Sequence, residues 1–408
     1  MKKAKAALAA SLMAPAVALA FESVDTLPWP SMGRFPAYPA EASRPTTFWL
    51  QGGLMHDDNI LRLEANEQSD TVGRLGGGIR HEQRVIGRQR VVLEARADYY
   101  DFQDLTSLDH LAYAGFADWR WEVGNKLSGS VLLGTEERLA DLSETRSATK
   151  TMVTLHRASA DGGYLVTPNL RLRAGAGWSS SERDDRADPE TDATRLVIGA
   201  DYLTPLGNRV GLEARNTEGE APADADVFGT LVSNDFTERE LSFVVGYRLG
   251  TRLGVDGRVG RTKRSYEELP SRNFDDNTWR VGVEWFPANK TSLVLTYYNE
   301  PRSIIDVSAS HVVVKGFSFG PSWAPTQKVV LSARVLREDQ KFAGDPAAVL
   351  AGTTLRDETV DALRLAVGWE PQRFWHVGLA MDRGERTSNI SGRGYEFTTV
   401  MANVAWRY

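Results

Sequence analysis

Asp57, Asp58 and Asn59 stand side by side in the sequence and could hold a hard cation. Carboxylate and amide oxygens are the ligands that Ca²⁺ and Mg²⁺ prefer. The same residue types at the end of a strand more often form a turn, in which the side chains accept hydrogen bonds from their own backbone. The turn interpretation is favoured, so no metal site and no cofactor are predicted.

The six histidines are the other residues that could do chemistry. They are scattered and lack the spacing of a helical metal motif such as His-Glu-x-x-His: His56, His81, His110, His156, His311 and His376. Nucleophilic catalysis needs a base in hydrogen-bond reach of the nucleophile, and no catalytic residue is assigned. Triads are recognised by geometry rather than by order in the chain, so a hydrolase of lipid, peptide or glycan stays an alternative to the favoured non-enzymatic interpretation.

The elements that must position these residues are strands with two unlike faces. The chain ends in VMANVAWRY, where apolar residues fall on one parity and Asn403 and Arg407 on the other. The same alternation recurs in HLAYAGFADWRWEV, LRLRAGAGW, NTWRVGVEWF and DALRLAVGW. A period of two is typical of a β-strand with one apolar face.

Turn signals recur roughly every 40 residues, each flanked by two alternating runs, as in hairpins. They lie at Gly124-Asn125, Pro168-Asn169, Pro205 to Asn208, Gly250, Pro287 to Asn289, Pro325 and Pro371. Longer polar stretches alternate with them. Strands of about ten residues match tilted membrane-spanning strands. The pattern predicts an all-β, transmembrane, antiparallel up-and-down barrel of about 18 strands, with 16 as the alternative, short periplasmic turns and long extracellular loops.

Aromatic residues gather near the short turns, as they do at the headgroup level of membrane barrels. The predicted membrane-interface aromatics are Trp119, Trp121, Tyr202, Tyr247, Trp285, Trp323, Trp369, Trp406 and Tyr408. The apolar face therefore meets lipid, and the last strand should engage the barrel assembly machinery.

The N-terminal 45 residues precede the predicted barrel, residues 46–408. Residues 1–20 have a basic start, an apolar stretch and a small-residue Ala18-Leu19-Ala20 site, which indicates a cleaved signal peptide. Residues 21–45 are rich in proline and carry four aromatics, so we expect them at the periplasmic mouth or in the lumen, where they plug the pore or dock an export partner. No apolar run is long enough for a membrane helix. The net charge of −6 argues against nucleic acid as a partner.

The segment LQGGLMHDDNILRLEANEQSDTV, with its Asp57-Asp58-Asn59, Ile60 and Arg62, resembles the EpsL-type outer-membrane barrels of exosortase-associated exopolysaccharide biosynthesis. The resemblance covers essentially the whole mature chain. It implies a location in the outer membrane of a Gram-negative bacterium and a route for a secreted polysaccharide. A general porin and an adhesin-type surface barrel remain alternatives, besides the hydrolase.

Arginines fall on the face opposite the lipid stripe, which places them in the predicted lumen. They are Arg96, Arg120, Arg171, Arg173, Arg258, Arg280, Arg334 and Arg364. The inward carboxylates Glu94, Asp98, Glu122, Asp256 and Glu284 could neutralise them across strands. As a set, the guanidinium groups offer donors that match carboxylates. We expect a weakly anion-preferring lumen that passes an acidic polysaccharide.

Overall fold

The computed structural model describes residues 45–185, 191–220, 225–227, 230–233, 235–267, 270, 273–303, 311–343 and 355–408. The predicted signal peptide and residues 21–44 of the proline-rich segment lie outside this range. Within these ranges, no helix reaches the length and hydropathy that a membrane-spanning helix requires.

The described residues form twenty strands and two very short helical turns. The strands are β1 (Thr46–Asp57), β2 (Asp70–Arg84), β3 (Arg90–Phe102), β4 (His110–Val123), β5 (Leu127–Leu139), β6 (Met152–Thr167), β7 (Leu170–Arg183), β8 (Thr191–Leu203), β9 (Arg209–Glu220), β10 (Ala225–Val227), β11 (Thr230–Val232), β12 (Phe236–Leu249), β13 (Leu253–Tyr266), β14 (Phe274–Ala288), β15 (Thr291–Ser303), β16 (His311–Trp323), β17 (Val329–Ala343), β18 (Asp357–Trp369), β19 (Trp375–Ser388) and β20 (Tyr395–Arg407). A 3₁₀ turn spans Thr106–Leu108, and helix α1 spans Leu142–Thr145.

Eighteen of these strands form one closed antiparallel sheet in which each strand pairs with its neighbours along the chain. Strands β10 and β11 form a separate hairpin in the connection from β9 to β12. The sheet closes where β1 meets β20, with Leu54 opposite Ala402. Phe48 and Tyr408 exchange two backbone hydrogen bonds of 3.0 and 2.9 Å at this seam. Closure leaves no unpaired edge, as a barrel in lipid requires. The predicted up-and-down barrel of 18 strands is confirmed.

The two faces of each strand have opposite surroundings. In β20, Val400 and Val404 are exposed on the outer surface, whereas Met401 and Ala405 are buried on the inner side. Most exposed large hydrophobic side chains of the other strands follow the same outward parity, and two exceptions, Val294 and Val330, are exposed on the inner side near the short turns. This inverted arrangement, apolar outside and polar inside, is that of a barrel whose solvent is lipid.

Connections are short at one end of the barrel and long at the other. The short turns have two to five residues between strands, and the long loops have six to fifteen. Gly124 and Gly250 allow two of the short turns, because both have a φ of 61°, which side chains disfavour. The turn predicted at Pro287 to Asn289 is shifted: β14 continues through an irregular register to Ala288, and the turn is Asn289-Lys290.

The predicted interface aromatics all lie on the outward parity, close to the short-turn end. Trp119, Tyr202, Tyr247, Trp285, Trp323, Trp369 and Tyr408 are exposed on the outer surface. Trp121 and Trp406 are half-buried, and the ring of Trp406 stacks on that of Tyr408.

Candidate functional site: the inner wall and the extracellular mouth

The structure places all eight predicted lumen arginines on inward-facing strand positions. Four of them form two directly opposed pairs, Arg258 opposite Arg280 and Arg334 opposite Arg364. Like charges in register destabilise a sheet unless other groups neutralise them. Their ion pairs therefore decide how much positive charge remains available in the lumen.

Four of the eight arginines, Arg171, Arg173, Arg258 and Arg280, belong to one continuous series of ion pairs, which we call the charge ladder. It crosses the inner wall from β7 to β17 and consists of Arg171, Asp201, Arg173, Glu213, Arg215, Glu240, Arg258, Glu300, Arg280, Arg302 and Glu338. It contains six arginines and five carboxylates, which alternate as far as Glu300, and Glu300 pairs with both Arg280 and Arg302. The ladder therefore stiffens the wall and keeps an excess of one cation.

Arg173 is the most enclosed cation of the charge ladder. Its guanidinium donates to Asp201 at 2.7 and 3.1 Å and to Glu213 at 2.9 Å, and only 4% of its side chain is exposed. Arg171 donates to the same Asp201 at 2.7 Å. A guanidinium held by two carboxylates has few donors left for a solute, so Arg173 acts as a structural group of the wall.

The far end of the ladder joins an aromatic side chain to the ion pairs. Glu338 accepts hydrogen bonds from Arg302 at 2.9 Å and from the hydroxyl of Tyr298 at 2.5 Å. The guanidinium groups of Arg280 and Arg302 lie 4.8 and 5.2 Å from the ring centre of Tyr298. Cation–π contact adds to the ion pairs. Tyr298 is consequently buried in the wall and is not a rail for a passing sugar.

The carboxylates predicted to neutralise the eight arginines have other partners. Glu94 binds Arg80 at 2.9 Å, and Asp98 binds Arg74 at 2.9 Å. Glu122 binds Arg88, and Asp256 and Glu284 both bind Arg248. The predicted pairing was wrong because long side chains reach diagonally between strands, and the stagger between strands cannot be read from parity.

Three of the predicted arginines remain exposed to the lumen. Arg96 is 44% exposed and lies 3.6 Å from Glu136. Arg120 is 45% exposed and donates to Asp118 at 2.8 Å. Arg334 is exposed and donates to the hydroxyl of Ser318 at 3.3 Å. By contrast, Arg364 is mostly buried and is held by Asp382. A solute in the lumen would therefore meet positive charge at Arg96, Arg120 and Arg334.

An inward-folded segment narrows the extracellular mouth. Five inward-facing residues form one register row across β19, β20, β1, β2 and β3: Ala380, Met401, Met55, Val72 and Phe102. Ile60 and Leu61, from the loop between β1 and β2, pack on this row and are 0% and 4% exposed. Leu108 of the 3₁₀ turn and Leu142 of α1 complete the cluster. Loop 58–69, the 3₁₀ turn and α1 are together called the plug.

A buried ion pair fastens the first loop of the plug. Asp57 accepts two hydrogen bonds from the guanidinium of Arg62, at 2.7 and 2.8 Å, and one from the hydroxyl of Thr399 at 2.5 Å. The backbone N–H of Asn59 also donates to Asp57 at 3.0 Å. Arg62 has a φ of 57°, a left-handed conformation that costs free energy and persists only when its surroundings hold it. The pair supplies that constraint.

The other end of the plug is tied across the mouth. Glu144 of α1 pairs with Arg386 of β19 at 3.0 Å and with Arg356 at 3.5 Å, although five strands separate β5 from β19 along the wall. Arg146 donates to the carbonyls of Gly392 and Arg393. Burial of the guanidinium group lowers the pKa of Arg146, and the positive charges of Arg386 and Arg393 lower it further. These contacts join the loops of both sides of the mouth.

The residues first considered for chemistry have structural roles. Asp57 and Asn59 form the turn that begins the plug, and within the described ranges no cluster of His, Asp or Glu suits a metal ion. His56 and His81 contact the hydroxyls of Thr71 and Thr46.

Residues 316–320 form a Gly-x-Ser-x-Gly sequence. The sequence analysis, which assigned no catalytic residue, did not identify this motif. This segment lies inside strand β16, whereas a nucleophile elbow requires a sharp turn from strand to helix. Its Ser318 faces the inner wall beside Arg334. The motif therefore lacks the context that nucleophilic catalysis needs.

Sequence reasoning missed seven of the eleven residues of the charge ladder: Asp201, Glu213, Arg215, Glu240, Glu300, Arg302 and Glu338. Their inward parity was a sufficient signal to include them in the lumen. The plug was also missed. Its only signal is the apolar pair Ile60-Leu61 inside a polar loop, which points to burial.

Comparison with known proteins identifies a fold but not a family. No family model matches the sequence, and the search of curated proteins gives no match. Among solved structures, OccK2 (OpdF) of Pseudomonas aeruginosa is 12% identical with a TM-score of 0.50, over 89% of this chain and 97% of that one. The outer membrane protein OpdK of the same organism is 10% identical with a TM-score of 0.49, over 89% and 99%.

The closed sheet, the apolar exterior and the charged interior define the class of protein. Backbone polar groups are all paired around the seam, and the exposed apolar side chains can be stable only in lipid. The chain is an outer-membrane β-barrel.

Proposed function

We propose that the protein is a porin-type channel that passes small anionic solutes across the outer membrane. The observation that carries the proposal is a charged inner wall with guanidinium groups exposed to the lumen, inside a barrel of 18 strands. Barrels of 16 to 18 strands leave room for an aqueous channel. This follows the porin alternative rather than the route for a polysaccharide.

The presence of the plug favours a small solute over a polymer as the substance that passes through the channel. The plug occupies one side of the extracellular mouth with packed apolar side chains and ion pairs, which a bulky polymer would have to displace. A small solute needs only the space that remains, and its passage needs weak and repeated contacts. Exposed arginines supply such contacts for carboxylates and phosphates.

Ion selectivity in planar bilayers tests this function. A salt gradient across the wild-type channel should give a reversal potential that indicates anion preference. The variant Arg96→Gln with Arg334→Gln should lose most of that preference, because both side chains are exposed to the lumen. The matched control is Arg337→Gln, on the outer face of β17. Cation preference in the wild type, or no shift in the double variant, would contradict the proposal.

Export of an exopolysaccharide is a second candidate. One observation favours it: the residues that carry the family resemblance, from Asp57 to Arg62, build the inward-folded loop at the mouth. A clean deletion strain distinguishes the two functions, since polymer trapped in the periplasm supports export, whereas normal polymer release with lost uptake of small anions supports the channel.

A further inference from the structure

The outer surface near the long-loop end is asymmetric in charge. On five strands between β12 and β19, the first outward-facing residue beyond the apolar belt is a cation: Arg239, Arg261, Lys315, Arg337 and Arg383. We call these five residues the basic rim. No outward-facing position of strands β1 to β9, all of which the structure describes, holds Lys or Arg.

Apolar side chains lie directly beneath the basic rim. Leu241 and Phe243 follow Arg239 on β12, and Leu241 is also the register partner of Arg261. Phe317 is the register partner of Arg337, and Leu363 is that of Arg383. All four apolar side chains are exposed on the outer surface. Each cation therefore sits at the boundary between acyl chains and headgroups.

The rim cations are accessible to a ligand. All five are exposed. Arg261 pairs with Asp275 at 2.7 Å, Arg337 with Asp361 at 3.4 Å, and Arg383 with Glu396 at 3.7 Å. Such exposed pairs contribute little, so exchanging them costs little.

Two members of the basic rim differ from the other three, and one of them, Lys315, has Asp339 as its register partner. Within the described part of the chain, Arg239 and Lys315 form no ion pair. Arg239 stands opposite Lys263 in register, which adds a sixth cation beside the rim. An anion bound there would reduce the electrostatic repulsion between Arg239 and Lys263.

We propose that the basic rim binds the phosphate groups of an anionic glycolipid in the outer leaflet, with the acyl chains on the apolar residues below. Four of the five cations are arginines, whose planar donors fit phosphate oxygens. Each cation near an anionic lipid surface adds attraction. Asp275 and Glu396 pair with Arg261 and Arg383 and lie nearer the long loops than these two arginines do. Phosphate groups can therefore reach the arginines from the membrane side. This site is on the outer wall and does not depend on the proposed channel function.

The probe is purified diphosphorylated lipid A, compared with its dephosphorylated form in competition for the full-length protein in detergent, with native mass spectrometry as the readout. The wild type should prefer the phosphorylated lipid at least about tenfold. Equal binding of the two lipids by the wild type would overturn the proposal without any variant.

The variant that neutralises the rim combines Arg239→Gln, Arg261→Gln, Lys315→Gln, Arg337→Gln and Arg383→Gln. Its preference for the phosphorylated lipid should fall to near onefold. The matched control neutralises five outward carboxylates of the opposite half: Asp101→Asn, Glu137→Gln, Glu182→Gln, Asp192→Asn and Glu218→Gln. It should keep the preference. Heat-modifiable gel migration verifies that both variants fold, and a rim variant that folds and keeps the wild-type preference rules the site out.

Discussion

At the scale of single residues, the same side chain does different work according to its partners. Arg173 and Arg96 are both inward-facing arginines on the middle of the wall. Arg173 is enclosed by Asp201 and Glu213, whereas Arg96 has one carboxylate at 3.6 Å and is largely exposed. Burying a charge is favourable only when its partners compensate for lost hydration. Arg173 therefore stabilises the barrel wall, whereas Arg96 is in contact with the solution in the lumen.

This difference predicts unequal effects of the same substitution. Arg173→Gln should lower the free energy of unfolding by about 3 kcal/mol, because it leaves two buried carboxylates without their shared cation. Arg96→Gln should lower it by less than about 1 kcal/mol, since its ion pair is exposed to water. Urea unfolding in lipid vesicles, followed by tryptophan fluorescence, measures both. Equal losses would show that the charge ladder is not the stabilising feature described here.

At the scale of elements, the plug is a loop structure held by few but buried contacts. The register row under Ile60 gives it an apolar floor, and Asp57 with Arg62 fastens its first turn. Glu144 and Arg146 fasten its other end. Loops without such contacts extend into solvent. The plug is therefore held as an ordered structure in part of the extracellular mouth.

Releasing the plug should widen the channel. Asp57→Ala removes the carboxylate that pairs with the buried Arg62, which costs about 3–5 kcal/mol and favours release of the loop into water. Single-channel conductance in planar bilayers should rise relative to the wild type. The control is His56→Ala, on the lipid-facing side of the same strand. A conductance equal to that of the control would mean that the loop does not narrow the pore.

At the scale of the whole molecule, the barrel is inverted relative to a soluble protein. Its buried charged groups lie on the inner side of the wall, and its large apolar side chains cover the outside. Stability therefore depends on which face of a strand a residue occupies more than on its type. Phe319 and Ser322 of β16 show this, since the first points to lipid and the second to the lumen.

Placing the same charge on the two faces should have unequal costs. Phe319→Arg should lower the free energy of unfolding by about 2–4 kcal/mol, the cost of a cation facing the middle of the bilayer. Ser322→Arg should cost less than about 1 kcal/mol, because its side chain reaches water in the lumen. Unfolding in vesicles of defined thickness measures both. Similar costs would contradict the assignment of faces.

The sequence alone determined the architecture of this protein, because a strand period of two, turn residues at regular intervals and aromatics at one end are local patterns. Thus the terminal stripe from Val400 to Tyr408 predicted both the last strand and its lipid face. Parity also placed Arg96 and Arg173 on the inner wall. The tertiary structure decided what those residues touch: Arg173 meets Glu213 two strands away, and Asp57 meets Arg62 in a loop that folds inward. Such contacts depend on strand stagger and loop packing, which join residues far apart in the chain and leave no local pattern to read.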